Sequence, residues 1–194
     1  MGKNTPKPHD RLPSEDQGDH SAESIYAAVG RALTNWELLQ EELTFLFALL
    51  AGQNSYPLMR AFGTLESAIP KVKMLRAAAE VSLSPQLLGD TKKLLSAIDD
   101  FNQRRNDIAH ASVAEHANKE RSLGFYLAPG FSVTTKFDIA DWPNPSKYRW
   151  KAKQIDYYAE QFEQLRLGTK ALFNRISESR RVPAKRPTSP KKSS

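Results

Sequence analysis

SAESIYAAVGRALTNWELLQEELTFLFALLAG, residues 21–52, sets the architecture. Its apolar side chains fall at Ile25, Val29, Ala32, Trp36, Leu39, Leu43, Leu46 and Leu50, spaced alternately by four and three. That spacing keeps them on one face of a continuous helix. Phe45, Phe47 and Leu49 widen the face towards its end, so this helix must be covered on more than one side. The longest apolar run, Leu43–Ala51, is nine residues and includes Thr44. A membrane span needs roughly 20 residues, so the run reads as a buried helix segment with no membrane partner.

Further helices follow from the same periodicity. Gly63 and Pro70 divide the next region into a short helix over 57–63 and a longer one from about Ser67 to Val81, with Val72, Leu75, Ala78 and Ala79 inward. Ser84 followed by Pro85 is a helix start, the first as N-cap and the second in the first turn. The stripe behind it runs Leu87, Leu94, Ile98, Phe101, Arg105, Ile108, which places Arg105 in the buried seam. Residues 122–139, with Phe125, Tyr126, Leu127, Phe131, Val133 and Phe137 around Pro129-Gly130, predict a β-hairpin. A last helix is expected from about Lys151 to Ser177, weakest at Gly168. The fold class is therefore all-α: a four- to five-helix up-down bundle with a small hairpin before the last helix.

The net charge of +6 does not lie in this domain. Residues 179–194 hold six Lys and Arg and no acid, while residues 1–20 carry −1, leaving nineteen bases against eighteen acids over 21–178. Both ends are rich in Pro and charge, and neither has the apolar content to order itself. Three segments result: a disordered arm over 1–20, a helical domain over 21–178 and a disordered basic tail over 179–194. The tail alone attracts anionic surfaces without specifying one. There is no cysteine. Disulfides, thiolate metal sites and cysteine nucleophiles are thereby excluded, and a cytoplasmic location fits that composition together with an N-terminus lacking a secretory signal.

One stretch carries chemistry: RRNDIAHA, Arg104–Ala111, near the end of the helix begun at Ser84. Asn106 and His110 are four apart and share a helix face. Arg105 lies about 140° round from His110, yet a guanidinium on a flexible stem reaches the same anion. Together they supply forked donors for a phosphate, an amide, and a group that exchanges protons near neutral pH. Arg104 fits the spacing to His110 as well, so either arginine can be the phosphate-binding one. The alternative is structural: Arg104, Asn106 and Asp107 as a solvated face and His110 as an edge histidine bonded to a carbonyl. His110 and His116 have no acid at ligand spacing, so no metal site is expected, and no cofactor motif occurs.

RNDIAHA after a long apolar helix, in a chain whose first helix carries a Trp, resembles the HEPN superfamily of small helical proteins. Its signature is an Arg followed by a polar residue, then a His after four to six residues; Arg105, Asn106 and His110 match those positions. The resemblance implies a bundle over 21–178, a homodimer that joins two motifs across a cleft, and in active members metal-independent cleavage of RNA, often in toxins or antiphage defence and sometimes with an antitoxin protein as partner. It implies His110 as general acid/base, Arg105 on the scissile phosphate and Asn106 orienting it. Other members are non-catalytic modules that dimerise and bind nucleotides or partner proteins. Glu37, Glu41 and Glu42 read as surface or salt-bridge residues, with reach to the Arg–His pair as the alternative. Tyr148, Arg149, Trp150, Lys151 and Lys153 form an aromatic–basic cluster that suits either RNA contact or a helix start with snorkelling lysines.

Overall fold

A computed structural model describes residues 6–52, 55–117, 122–129 and 149–181. Among them are the helices α1 (Ala22–Leu50), α2 (Tyr56–Gly63), α3 (Ala68–Ser82), α4 (Pro85–Ala109) and α5 (Ala152–Arg181), and the strands β1 (Ala111–Ala117) and β2 (Ser122–Pro129). This is the expected helical bundle with a hairpin ahead of its last helix. No helix among the described residues is long and apolar enough to cross a membrane.

α1 and α5 run side by side in the same direction, as the contacts Arg31–Asp156, Trp36–Phe162 and Glu42–Arg166 show. α4 runs against α5, with Asp90 paired to Arg175 and Phe101 packed on Phe162. α3 runs against α4 through Glu80–Lys92 and Arg76–Asp99. The predicted stripe of α1 is the core: Ile25, Ala32, Trp36, Leu39, Leu43, Leu46 and Leu50 are all buried. At its centre the Trp36 ring meets Phe162 edge-on at 5.0 Å, and Phe162 meets Phe101 edge-on at 6.1 Å. Three helices are thus fixed at one level by aromatic contact.

The hairpin is displaced from the expected one. Its strands are Ala111–Ala117 and Ser122–Pro129, antiparallel, with Val113 opposite Leu127 and Glu115 opposite Phe125. Pro129 is therefore the end of a strand, paired with Ala111, and the predicted turn at Pro129-Gly130 is not the connection. ASVAEHA lacks the β-branched and aromatic content that marks a strand in sequence; β2 supplies the pattern and recruits it. The remainder of the predicted 122–139 hairpin lies outside the described residues.

Residues 6–20, expected to be disordered, instead form a strap across α4, α5 and β2. Few apolar side chains hold it. Buried aromatic and amide groups do, by bonding its backbone. The Tyr158 hydroxyl donates to Asp10 O at 2.7 Å and accepts from Leu12 N at 2.9 Å. Trp150 Nε1 donates to Leu12 O, Tyr126 Oη to Glu15 O and Gln154 Nε2 to Pro13 O. Asp19 exchanges both backbone hydrogen bonds with Phe125, extending the sheet by one bridge. Arg149 and Trp150 of the aromatic–basic cluster are buried, and Lys151 pairs with Glu15 at 2.9 Å, so these members hold the strap. At the other end α5 continues to Arg181, and the Arg180 guanidinium donates to the Leu49 and Leu50 carbonyls that end α1. The first three residues of the expected tail are thus helical; 182–194 lie outside the described residues.

The strap and β2 approach closely at two glycines. A Cβ on Gly18 would stand 2.6 Å from Phe125 O and 2.7 Å from the Tyr126 ring, and Gly124 holds φ +90 with Asp19 O 2.7 Å from where its Cβ would be. Gly18→Ala is expected to lift the strap and cost about 1–3 kcal/mol in urea unfolding, with faster amide exchange confined to residues bonded to it. Unchanged stability and exchange would show that the strap contributes nothing.

His116 packs edge-on against Tyr126 at 5.4 Å, and Arg149 lies over the same ring. Burial, joined by the Arg149 charge, holds the His116 imidazole below its ordinary 6.5. The unfolded chain therefore takes up this proton first as pH falls. Stability associated with His116 is complete above about pH 6.5 and is lost as pH drops through the lowered value. His116→Gln should flatten this part of the stability–pH curve below about pH 6.5, measured by urea unfolding at each pH; a curve superimposable on wild type would refute it.

Candidate functional site

α4 ends within the RNDIAHA motif. His110 is its C-cap, leaves helical geometry with φ −106 and ψ 11, and donates its N–H to Asn106 O at 3.0 Å. The next residue, Ala111, already pairs with Pro129. The imidazole therefore hangs at a junction held by helix on one side and sheet on the other.

Arg105, Asn106 and His110 line one cavity of about 320 Å³, together with Asn102 of α4, Trp36, Glu37 and Gln40 of α1, and the start of α3 with Lys71. The Arg105 guanidinium donates to Asn106 Oδ1 at 3.2 Å, which leaves the Asn106 amide nitrogen as the free donor of that side chain. Glu37 reaches Arg105 at 3.6 Å, so of Glu37, Glu41 and Glu42 it is the one that meets the motif. Glu42 pairs with Arg166, and Glu41 lies over Phe45 and Tyr56 in a separate groove. His110 is exposed, at the mouth of the cavity, whereas the buried Trp36 ring closes the inside.

The two arginines part company. The buried cation of α4 is Arg104, 9 % exposed, and not Arg105, whose side chain is 30 % exposed. The seam of α4 runs Thr91, Leu95, Ile98, Phe101, Arg104, Ile108, one residue out of phase with the predicted stripe at its polar end. A cation sits in that seam because an acid one turn on neutralises it: Asp107 lies 3.2 Å from Arg104 and 2.9 Å from Arg11 of the strap. Burial works against the Arg104 charge and Asp107 supports it. Arg104 is not among the cavity residues; of the two arginines it is Arg105 that lines the cavity.

Sequence reading missed Gln40 and Lys71. Lys71 Nζ donates to Gln40 Oε1 at 3.2 Å, and burial pushes the Lys71 ammonium below its ordinary value while Glu37 acts to raise it. The available signal was Gln40 itself, an amide four residues after Trp36 inside an otherwise apolar face. The pairing of α1 with the first turn of α3 was not readable from periodicity.

No protein-family model, curated protein or solved structure matches this chain in comparison. The site is therefore read from its own chemistry.

Two substitutions separate the arginines. Arg104→Met leaves Asp107 with Arg11 as its one ion-pair partner among the described residues, beside the Gln103 amide, and is expected to cost about 1–3 kcal/mol in urea unfolding. Arg105→Met breaks a half-exposed pair and should cost under about 1 kcal/mol. Equal losses would show that the seam assignment is wrong.

Proposed function

We propose that this chain is a metal-independent endoribonuclease of HEPN type, working at the cavity between α1, α3 and α4. The observation that carries the reading is the convergence of Arg105, Asn106 and His110 on one cavity whose other side holds the Lys71 ammonium. A phosphodiester is a single anion with a hydroxyl beside it. Two cations, an amide donor and an imidazole are the groups that its cleavage uses.

In the proposed reaction the 2′-oxygen attacks phosphorus and its proton passes to His110. Arg105 and the Asn106 amide stabilise the charge that accumulates on the non-bridging oxygens. The bond from phosphorus to the 5′-oxygen then breaks, and an imidazolium returns a proton to that oxygen. The products are a 2′,3′-cyclic phosphate and a free 5′-hydroxyl, so atoms and protons balance. The exposure of His110 suits a polymer, which must lay its backbone across the mouth instead of entering whole. A homodimer, as the resemblance implies, would set a second His110 opposite the first and divide the base and acid roles between them. A toxin-like or antiphage role follows if the activity is directed at cellular or invading RNA.

Cleavage of single-stranded RNA in EDTA, with cyclic phosphate ends, is expected from the wild type. His110→Ala and Arg105→Ala should each lower it about 10²–10⁴-fold without changing the unfolding midpoint. Full activity in His110→Ala would end the reading. A stable dimer with no cleavage would leave a non-catalytic binding module.

A further inference from the structure

The side of the cavity where α3 begins has more hydrogen-bond donors than one scissile phosphate needs. Ser67, Ala68 and Ile69 border it, so the N-terminal end of α3, a 15-residue helix, opens there. Ser67 is the N-cap and makes no side-chain cap bond. Pro70, in the first turn, has no N–H to offer, which leaves Ala68 and Ile69 to present the unsatisfied amides of the helix start. No partner for either is present among the described residues. Such a helix end favours an anion through its amides and its dipole.

Side chains on the other two helices point to the same kind of ligand. Gln40 is 9 % exposed, lines the cavity, and its Nε2 has no hydrogen-bond partner among the described residues. Its Oε1 is taken by Lys71 Nζ, which fixes the amide with oxygen towards the ammonium and leaves a donor. Arg105 Nε is also buried without a partner. A buried donor left unmade is costly, and these two border one space. Lys71 adds a charged donor that burial has already made less comfortable without an anion. Two acids, Glu37 and Glu66, also line the cavity; Glu37 lies 3.6 Å from Arg105 and acts on the Lys71 charge, so an incoming anion has to displace it.

We infer that the start of α3, Lys71, Gln40 and Arg105 form a phosphate subsite on the α3 side of the cavity, which holds the strand phosphate next to the one cleaved at His110. The word "strand" rests on the ribonuclease reading; the subsite itself does not. Arg105 then stands between two phosphates, sharing its fork; as Lys71 Nζ turns from Gln40 Oε1 to the anion it releases the amide, and rotation about the last torsion of Gln40 presents Nε2 to the same anion. The Glu37 carboxylate competes with that anion for Arg105, which makes it a brake on occupancy.

The test is a titration of the full-length protein with inorganic phosphate at constant ionic strength, followed by chemical shift or by thermal shift against a chloride control. Lys71→Met and Gln40→Glu are each expected to weaken phosphate binding at least tenfold, and Glu37→Gln to strengthen it several-fold. Lys92→Met, which removes a distant surface charge of the same kind, serves as the reference for non-specific loss. Gln40→Leu supplies the uncharged second variant, and unfolding midpoints establish that each variant is folded. Phosphate affinity that is indifferent to both Lys71 and Gln40, or lost equally in Lys92→Met, overturns the subsite. A short oligoribonucleotide and a 5′-mononucleotide are titrated in parallel into His110→Ala protein. Tighter binding of the oligonucleotide, weakened by Lys71→Met, supports a strand phosphate; oligonucleotide binding unaffected by Lys71→Met overturns it. Lys71-dependent phosphate binding in a wild type that cuts no RNA supports the subsite and removes the ribonuclease reading. RNA cleavage with phosphate binding indifferent to Lys71 does the reverse.

Discussion

The contact of Trp36 with Phe162, and of Phe162 with Phe101, is the constraint on which the rest of the molecule depends. It fixes α1, α4 and α5 at a single height. Within one turn of Trp36 on α1 are Glu37 and Gln40, and within one turn of Phe101 on α4 are Asn102 and Arg105. The polar wall of the cavity is therefore positioned by an apolar joint directly behind it, and the Trp36 ring belongs to both. His9 of the strap packs edge-on against Phe101 at 5.9 Å, closing the far side of the same joint. Packing of this density transmits position with little slack, which is what a site assembled from three separate helices requires.

Around that joint the two adjacent arginines have opposite tasks. Arg104 turns inward, away from the cavity, and is neutralised by Asp107. Arg105 turns to the cavity, where its neighbours are an exposed glutamate, an amide and a second cation. A single residue of helix, about 100°, separates the buried ion pair from the cavity-lining cation. The hairpin matters for the same reason. By pairing Ala111 with Pro129 it pins the backbone directly after His110, so the helix end that carries the imidazole does not fray.

Much of this was legible in the sequence. The stripes of α1 and α5, the Ser84-Pro85 start and the division at Gly63 and Ser67 follow from periodicity and capping, both local properties. What escaped was non-local. The α4 stripe at Arg104–Arg105 is ambiguous by one position because either residue satisfies a 3.6 period; the decision comes from Arg11 and Asp107, nearly a hundred residues apart. β1 has no strand signature and exists because β2 lies beside it. The strap has too little apolar surface to order itself, and it is held by Tyr158, Trp150, Tyr126 and Gln154, whose polar atoms are satisfied only once it is in place. Gln40 and Lys71 meet because α3 starts beside the middle of α1, a fact of tertiary packing.

The strap also bears on the order in which a growing chain can become native. Its carbonyls and amides await Tyr126, Trp150, Gln154 and Tyr158, and the bond from Tyr158 to Asp10 spans 148 positions. Loop closure over that separation comes late, after the local helices have formed. A nascent polypeptide emerging N-terminus first must keep the strap unattached until α5 has left the ribosome. Residues made before every helix of the bundle are then among the last to settle, and they act as a latch fastened over a nearly finished body.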